Sequence, residues 1–188
     1  LFIKDDFVID LWEREPRYEL KWLKKRYNAG KSDKFLLFWG HQKSANLSAS
    51  CLSQWYGSSF CEDETKYICA EQYMMAKKAQ CFGDKEALEK ILSAKDPAQM
   101  KALGRQVRGF DARVWDEVKF GVVLNASYLK FSQNATLREF LLSTGSKILV
   151  EASPVDKIWG IGLAASDENA QNPMKWRGQN LLGFALMR

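Results

Sequence analysis

The sequence predicts a mainly helical α+β fold with two or three short strands, built as a compact single domain. Six or seven segments show helical patterns with recognisable start and stop signals, whereas only two or three short segments are rich in β-forming residues. The chain of 188 residues is 46% hydrophobic and 13% aromatic, which is enough for one substantial core. No internal repeat, low-complexity tract or linker divides it. We therefore expect residues 35–188 to form one domain, with residues 1–34 as an N-terminal extension packed on it.

The individual elements are predicted from their boundaries. A basic amphipathic helix is expected at residues 17–27, a buried aromatic strand at 34–40, and a long helix at 67–84 that Gly83 ends in a left-handed turn. Four Asp or Asn residues precede further helical patterns and are expected N-caps, namely Asp84, Asp96, Asp111 and Asn134. The remaining predicted elements are helices at 85–94, 97–104, 112–131 and 135–142, a strand at 147–152, and a last helix at 181–188.

The helix predicted at 67–84 carries the first candidates for chemistry. It is apolar in nearly every turn, which indicates a buried helix, yet Glu71 lies within it and Lys78 follows seven residues later. At about 100° per residue, Tyr67, Glu71, Met74 and Lys78 share one face. A buried carboxylate is unfavourable unless it is paired or functional. Glu71 is therefore either a structural ion-pair partner of a nearby cation or a catalytic group.

Composition and charge narrow the function classes. The net charge of +5 favours anionic partners such as nucleotides or nucleic acid, although a charge of this size also simply keeps a protein in solution. His41 is the only histidine, so a His-rich metal centre is excluded and any Ser–His or Cys–His nucleophile would have to use it. The four cysteines include no C-x-x-C pair, so we expect free thiols and no metal site. We also expect no signal peptide and no membrane span, and hence a cytoplasmic or nuclear protein.

A set of motifs in the same order along the chain resembles the NADAR (YbiA-like) family. The matching pieces are Ala-Glu-Gln-Tyr-Met-Met-Ala-Lys-Lys at 70–78, Gly104-Arg105, Trp115, the block from Glu151 to Gly162, and Trp176-x-Gly178-x-Asn180-x-Leu182-Gly183. The resemblance covers residues from about 35 to 188. It implies a compact, mostly helical fold and N-glycosidase chemistry without a cofactor. Some members are linked to phosphoribosylamino-pyrimidine intermediates of riboflavin synthesis, and others resemble hydrolases that remove ADP-ribose from guanine.

The resemblance also implies roles for individual residues. Glu71 matches the active-site glutamate of the family and Lys78 its lysine two turns later. Bacterial relatives often carry an acidic residue after the Trp-Gly pair, where this chain has Ile161. Either Asp156, the nearest carboxylate, supplies that charge, or this branch does without it. The expected catalytic residues are thus Glu71, Lys78 and Asp156. The expected substrate contacts are Trp115, Trp159, Gly160, Arg105, Asn180, His41 and Trp55.

The chemistry of these residue types fits cleavage of a C–N glycosidic bond. Positive charge develops on the ribose, and a carboxylate such as Glu71 stabilises that charge or activates water. Lys78 could protonate the leaving base, hold a phosphate, or attack an opened sugar as a Schiff base. Two alternatives stay open from the residues alone: a module that binds ADP-ribose or a nucleotide without turnover, and a nucleic-acid binder. The expected partner is a nucleotide or an ADP-ribosylated substrate, including ADP-ribosylated nucleic acid, with no membrane.

Overall fold

The computed structural model describes residues 18–188. Residues 1–17 of the expected N-terminal extension, including the first residue of the helix predicted at 17–27, lie outside this range. The described residues contain, in chain order, α1 (Leu20–Asn28), β1 (Phe35–Phe38), a 3-10 turn (Ala49–Leu52), β2 (Phe60–Glu62), β3 (Thr65–Tyr67), α2 (Ala70–Cys81), α3 (Lys85–Ser93), α4 (Pro97–Arg105), α5 (Ala112–Ser132), α6 (Ala135–Ser143), β4 (Ile148–Glu151) and α7 (Leu181–Met187). Seven helices and four short strands in residues 18–188 confirm the mainly helical α+β class.

The described chain forms two compact units, and each is treated separately below. One is Gln54–Ala135, and the other combines residues 18–53 with Thr136–Arg188. The boundary expected between residues 34 and 35 coincides with neither junction and stays a prediction. No helix within residues 18–188 combines the length and apolar character that a membrane crossing requires.

The first unit is built around α2, which packs against α3, α4 and α5. Most of its residues are buried, including the polar pair Glu71 and Gln72. The Gln72 amide donates to the carbonyls that end α3, at 3.0 Å for Ile91 and 3.1 Å for Leu92. Gly104 allows α4 to lie close to α2, because a Cβ atom there would collide with the side chain of Met75. These contacts fix the helix that carries the candidate carboxylate.

Three of the four predicted N-caps, Asp84, Asp96 and Asp111, are confirmed, and the cap expected at Asn134 stays a prediction. The Asp84 carboxylate accepts from the Ala87 N–H at 3.2 Å, and the Asp96 carboxylate accepts from the Gln99 N–H at 3.2 Å. Asp111 accepts from the Arg113 N–H at 2.8 Å. Each bond satisfies a main-chain donor that the first helical turn leaves unpaired.

The predicted start of the long helix at residue 67 is wrong. Tyr67 ends β3, which pairs antiparallel with β2, and α2 begins only at Ala70. Asp63 has a φ of 50°, and two residues connect the paired Glu62 and Thr65, which is the geometry of a tight hairpin. This hairpin was not predicted. Tyr67 therefore shares no helix face with Glu71.

The second unit contains a two-stranded parallel sheet. Strand β1 pairs with β4, with Phe35 opposite Ile148 and Phe38 opposite Glu151. Both strands were predicted, at 34–40 and 147–152, and are confirmed with slightly shorter bounds. Helix α7 packs on β4. Gly183 makes this possible, because a Cβ atom there would collide with the Leu149 carbonyl oxygen.

Candidate active site

Glu71 is a buried carboxylate in the first turn of α2. Its residue is 2% exposed, and its main-chain N–H donates to the Gln54 carbonyl at 3.0 Å. The N-terminal end of a helix carries partial positive charge, which favours an ionised carboxylate. The position therefore combines exclusion of water with a local field that favours the charged form of Glu71.

Lys78 lies two turns further along α2 and is half-buried. Its Nζ donates to the Gly104 carbonyl at 2.8 Å and lies 4.0 Å from the centroid of the Phe110 ring. Burial lowers the pKa of the Lys78 ammonium below its ordinary value, and the positive charge of Arg105 lowers it further. A lysine with a lowered pKa transfers its proton more readily than an exposed lysine does.

Glu71, Met74 and Lys78 form one face of α2, called here the Glu71–Lys78 face. The Gln54 amide nitrogen lies 3.9 Å from the Met74 sulfur, so the 54–55 segment borders this face. Arg105 borders it at the end of α4, because it directly follows Gly104, whose carbonyl accepts from the Lys78 Nζ. Trp55 follows Gln54 directly, and its ring centroid lies 5.7 Å from the Lys101 Nζ. Of the residues predicted from sequence, Glu71, Lys78, Arg105 and Trp55 thus belong to this side of the first unit.

Trp115 lies against a different face of α2. It is buried in the first turn of α5 and lines a small cavity together with Tyr73, Lys77, Cys81 and Asn125. Residues 73, 77 and 81 share a helix face that is rotated by roughly 90° from the Glu71–Lys78 face. The substrate contact expected for Trp115 stays a prediction.

A hydrogen-bonded network explains the polar side chains beside Trp115. The Tyr73 hydroxyl donates to Glu62 Oε1 at 2.6 Å, and Asn125 Nδ2 approaches the same oxygen at 2.9 Å. Lys77 forms an ion pair with Glu62. Burial, followed by the hydrogen bond to Glu62, raises the pKa of Tyr73 above its ordinary value. The network joins the hairpin, α2 and α5, and is thus structural.

Asp156 organises a tight turn in the second unit. Its Oδ1 accepts from the N–H groups of Ile158 at 2.9 Å and Trp159 at 2.8 Å. Gly160 is required in this turn, because a Cβ atom there would lie 2.7 Å from the Glu151 carbonyl oxygen. Ile161 is fully buried. The turn thus orients the half-buried Trp159, and the catalytic role expected for Asp156 stays a prediction.

Asn180 and His41 also belong to the second unit. Asn180 is fully buried in a left-handed conformation, with a φ of 56°. Its Oδ1 accepts from the Glu151 N–H and its Nδ2 donates to the Leu149 carbonyl, both at 2.9 Å. The side chain therefore joins α7 to β4, and its expected contact with substrate stays a prediction. His41 is half-buried in the loop after β1, where its Nε2 lies 3.5 Å from the Gln42 amide nitrogen.

Three residues with a place beside the candidate carboxylate or lysine were missed from sequence: Gln54, Phe110 and Lys130. Lys130 is 1% exposed in α5, and its Nζ lies 5.6 Å from the Tyr56 ring centroid. Burial raises the pKa of Cys69 to about 11, and the charge of Glu71 adds to this while that of Lys130 opposes it. Both charges therefore lie near the start of α2. The sequence signal that could have indicated Lys130 is its position four residues after Ala126, within an apolar stripe of α5.

The described residues 18–188 contain no group of three or more His, Cys, Asp or Glu side chains arranged to hold a metal ion. The chemistry of the Glu71–Lys78 face is that of one carboxylate, one amine and one guanidinium beside aromatic rings. Such a set can stabilise positive charge on a substrate, move a proton and hold a phosphate.

Comparisons with known proteins show the family of the chain. A model of the NADAR domain matches residues 37–188. The chain is 44% identical over 162 residues to N-glycosidase R617 of Acanthamoeba polyphaga mimivirus, which covers 84% of this chain and 95% of that protein. It is 33% identical over 111 residues to riboflavin biosynthesis protein VVA0006 of Vibrio vulnificus, which covers 59% of this chain and 29% of that protein.

A solved structure is similar as well. The NMR structure of the E. coli protein YbiA matches with a TM-score of 0.65 and 27% identity, over 82% of each chain. The domain model spans most of the sequence, and the similarity to R617 extends along nearly all of that protein. The chain therefore belongs to the NADAR domain family.

Proposed function

We propose that this chain is an N-glycosidase that hydrolyses the C–N bond between a ribose and a heterocyclic base. The similarity to N-glycosidase R617 along 95% of that protein supports this reaction class. The structural observation that carries the proposal is the position of Glu71, a 2% exposed carboxylate at the start of α2. Lys78, with its lowered pKa, lies on the same helix face.

The proposed reaction uses Glu71 as its essential carboxylate. As the glycosidic bond breaks, C1′ of the ribose becomes oxocarbenium-like, and the negative charge of Glu71 stabilises it or draws a proton from the attacking water. Exclusion of bulk water strengthens this interaction. Lys78 lies about 10 Å further along the helix axis, a spacing that leaves room for the base between the two groups.

The remaining residues are proposed to bind the rest of the substrate. Arg105 is exposed at the end of α4, where it can hold a phosphate. Trp55 offers an aromatic surface on the same side of this unit. Such contacts would orient the substrate rather than take part in bond cleavage.

We propose ADP-ribosylated guanine as the substrate, either as a nucleotide or within nucleic acid. The alternative within the same reaction class is a phosphoribosylamino-pyrimidine, which the riboflavin biosynthesis protein of Vibrio vulnificus suggests through its 33% identity. Parallel assays of the two substrates, with chromatographic detection of the released base, distinguish these possibilities. Turnover of the pyrimidine intermediate alone would contradict the finer proposal while leaving the reaction class intact.

The central experiment is hydrolysis by the Glu71→Gln variant. Because Gln keeps the shape of Glu and removes its charge, we expect the rate to fall by about 10²-fold or more. Glu64→Gln is the matched control, since it makes the same change at an exposed residue of the hairpin turn. Undiminished hydrolysis by folded Glu71→Gln protein would reject the proposed role of Glu71.

A binding module without turnover is tested with the same protein. Calorimetric titration of the wild type with ADP-ribose gives the affinity, and the base-release assay gives turnover. Tight binding with no base released from either substrate would replace the enzyme proposal with the binding one.

A further inference from the structure

Phe110 is an exposed aromatic residue beside the candidate lysine. It lies between α4 and α5, and 45% of its surface is exposed. The Lys78 Nζ is 4.0 Å from its ring centroid, well within the range of a cation–π contact. The same ammonium donates to the Gly104 carbonyl at 2.8 Å. A ring and a carbonyl thus contact one cation.

The loop around Phe110 is fixed by contacts on both sides. The main-chain N–H of Arg108 donates to the Asp84 carboxylate at 2.8 Å, and Asp111 caps α5. Gly109 supplies a φ of 70°, which other residues rarely adopt. The Phe82 ring packs on Phe110 in an edge arrangement, with centroids 5.3 Å apart. Phe110 is therefore held in place without any help from a ligand.

We propose that Phe110 is a positioning residue for Lys78, whose ammonium it holds against the Gly104 carbonyl and favours in the charged form. An ammonium group has three donors, and the Gly104 carbonyl uses one of them. The ring attracts the cation without accepting a strong hydrogen bond, so donors remain for a substrate. The consequence for catalysis rests on the proposed function, in which Lys78 takes part in the reaction.

The Phe110 ring matters for the Lys78 ammonium because the charged groups nearby either repel this cation or are paired with other residues. Arg105, at the end of α4, opposes the ammonium. The acidic groups at the start of α3 are bound elsewhere, since Asp84 and Glu86 both pair with Arg108. Two further charged pairs flank this region and are satisfied within themselves, Asp111 with Arg113 and Lys77 with Glu62. Glu71 lies about 10 Å away along the helix axis. Among the described residues, the Phe110 ring is thus a close favourable contact for this cation.

The test measures the pKa of Lys78 directly in Phe110→Leu and Phe110→Trp proteins. NMR of lysine labelled at Cε follows the titration, and the Lys78→Arg variant assigns the signal. Leu keeps an apolar side chain but removes the π face, so we expect the Lys78 pKa to fall by about 0.5 to 1 unit. Trp presents a stronger π face and should keep the pKa at or above the wild-type value. Tyr27→Leu, at an aromatic residue that is 39% exposed in the other unit, is the control and should change nothing.

The outcomes separate this inference from the proposed function. An unchanged Lys78 pKa in folded Phe110→Leu protein would overturn the positioning role. If the pKa falls as expected, the basic limb of the pH–rate profile should move down by the same amount. A pKa that falls while that limb stays in place would support the contact and contradict the catalytic use of Lys78.

Discussion

Lys78 is the residue at which the candidate chemistry can be dissected most directly. Because burial and Arg105 lower its pKa, its amine can release a proton at a pH where an exposed lysine cannot. We expect Lys78→Met and Lys78→Arg to lose about 10²-fold in hydrolysis rate, since a guanidinium does not release its proton. Steady-state kinetics on both variants checks this. An Arg variant with nearly full activity would show instead that Lys78 serves only to hold an anion.

At the residue scale, helix periodicity could place together only groups that lie on one element. Glu71 and Lys78 were predictable because a carboxylate and an amine seven residues apart must share a face of a single helix. Phe110 could not be predicted, because its contact with Lys78 depends on how the loop after α4 packs on α2. Asn180 was predicted as a substrate contact, and its hydrogen bond to β4 joins it to Glu151, 29 residues distant in sequence.

The junction between α7 and β4 gives a prediction at the scale of an element. Replacing Asn180 removes two hydrogen bonds to β4 and leaves buried main-chain groups unsatisfied. We expect Asn180→Gly to lower the free energy of unfolding by about 2–4 kcal/mol. Asn180→Ala should cost about 1 kcal/mol more, because its Cβ atom disfavours the left-handed conformation. Urea denaturation of both variants measures the difference.

The comparison of Gly with Ala isolates the backbone contribution at this position. Both variants lose the same hydrogen bonds, so only the left-handed conformation distinguishes them. Equal stability of the two variants would mean that α7 begins with another backbone conformation in solution.

Helices with a capping signal were predicted well at the scale of elements. Asp84, Asp96 and Asp111 place an acceptor immediately before a periodic apolar pattern, and each cap is observed. The β2–β3 hairpin was missed because its strands have only three residues each and are stabilised by tertiary contacts. The Gln133 side chain, for example, which lies directly after α5, accepts from the Cys61 N–H at 2.8 Å and donates to the Cys61 carbonyl at 2.7 Å. Such a contact leaves no trace in local periodicity.

Acid stability of the whole molecule should depend on Asp84. The Arg108 guanidinium, followed by main-chain N–H groups, holds the pKa of Asp84 well below its ordinary value of 3.8. A carboxylate with a depressed folded pKa stabilises the fold above its unfolded pKa, and this contribution disappears as pH falls through the folded value. We expect Asp84→Asn to lower the melting temperature at pH 5–7, with a difference that shrinks below about pH 4.

Calorimetry from pH 2 to 7 checks this expectation. Asn can keep the N-cap acceptor for Ala87 but loses the second oxygen, which accepts from the Arg108 N–H, so the pH dependence of the difference is what reports the charge. Asp116→Asn is the control, because it breaks an exposed pair with Lys119 and should have little effect. A melting difference that stays constant down to pH 2 would exclude the charge as its cause.

At the scale of the whole molecule, sequence predicted the fold class but not the grouping of elements into two units. Helix content and both long strands follow from local patterns, and they are observed. The second unit combines residues 18–53 with Thr136–Arg188, a grouping that no local pattern reveals. Its basis is the parallel pairing of β1 with β4.

That pairing has a consequence for synthesis of the chain. Phe35 emerges from the ribosome about 110 residues before Ile148, its partner in the sheet. While the intervening helices are being translated, the edge of β1 that pairs with β4 therefore has no partner strand. A pairing between such distant segments closes slowly, so a nascent chain halted before β4 should be a preferred client of chaperones.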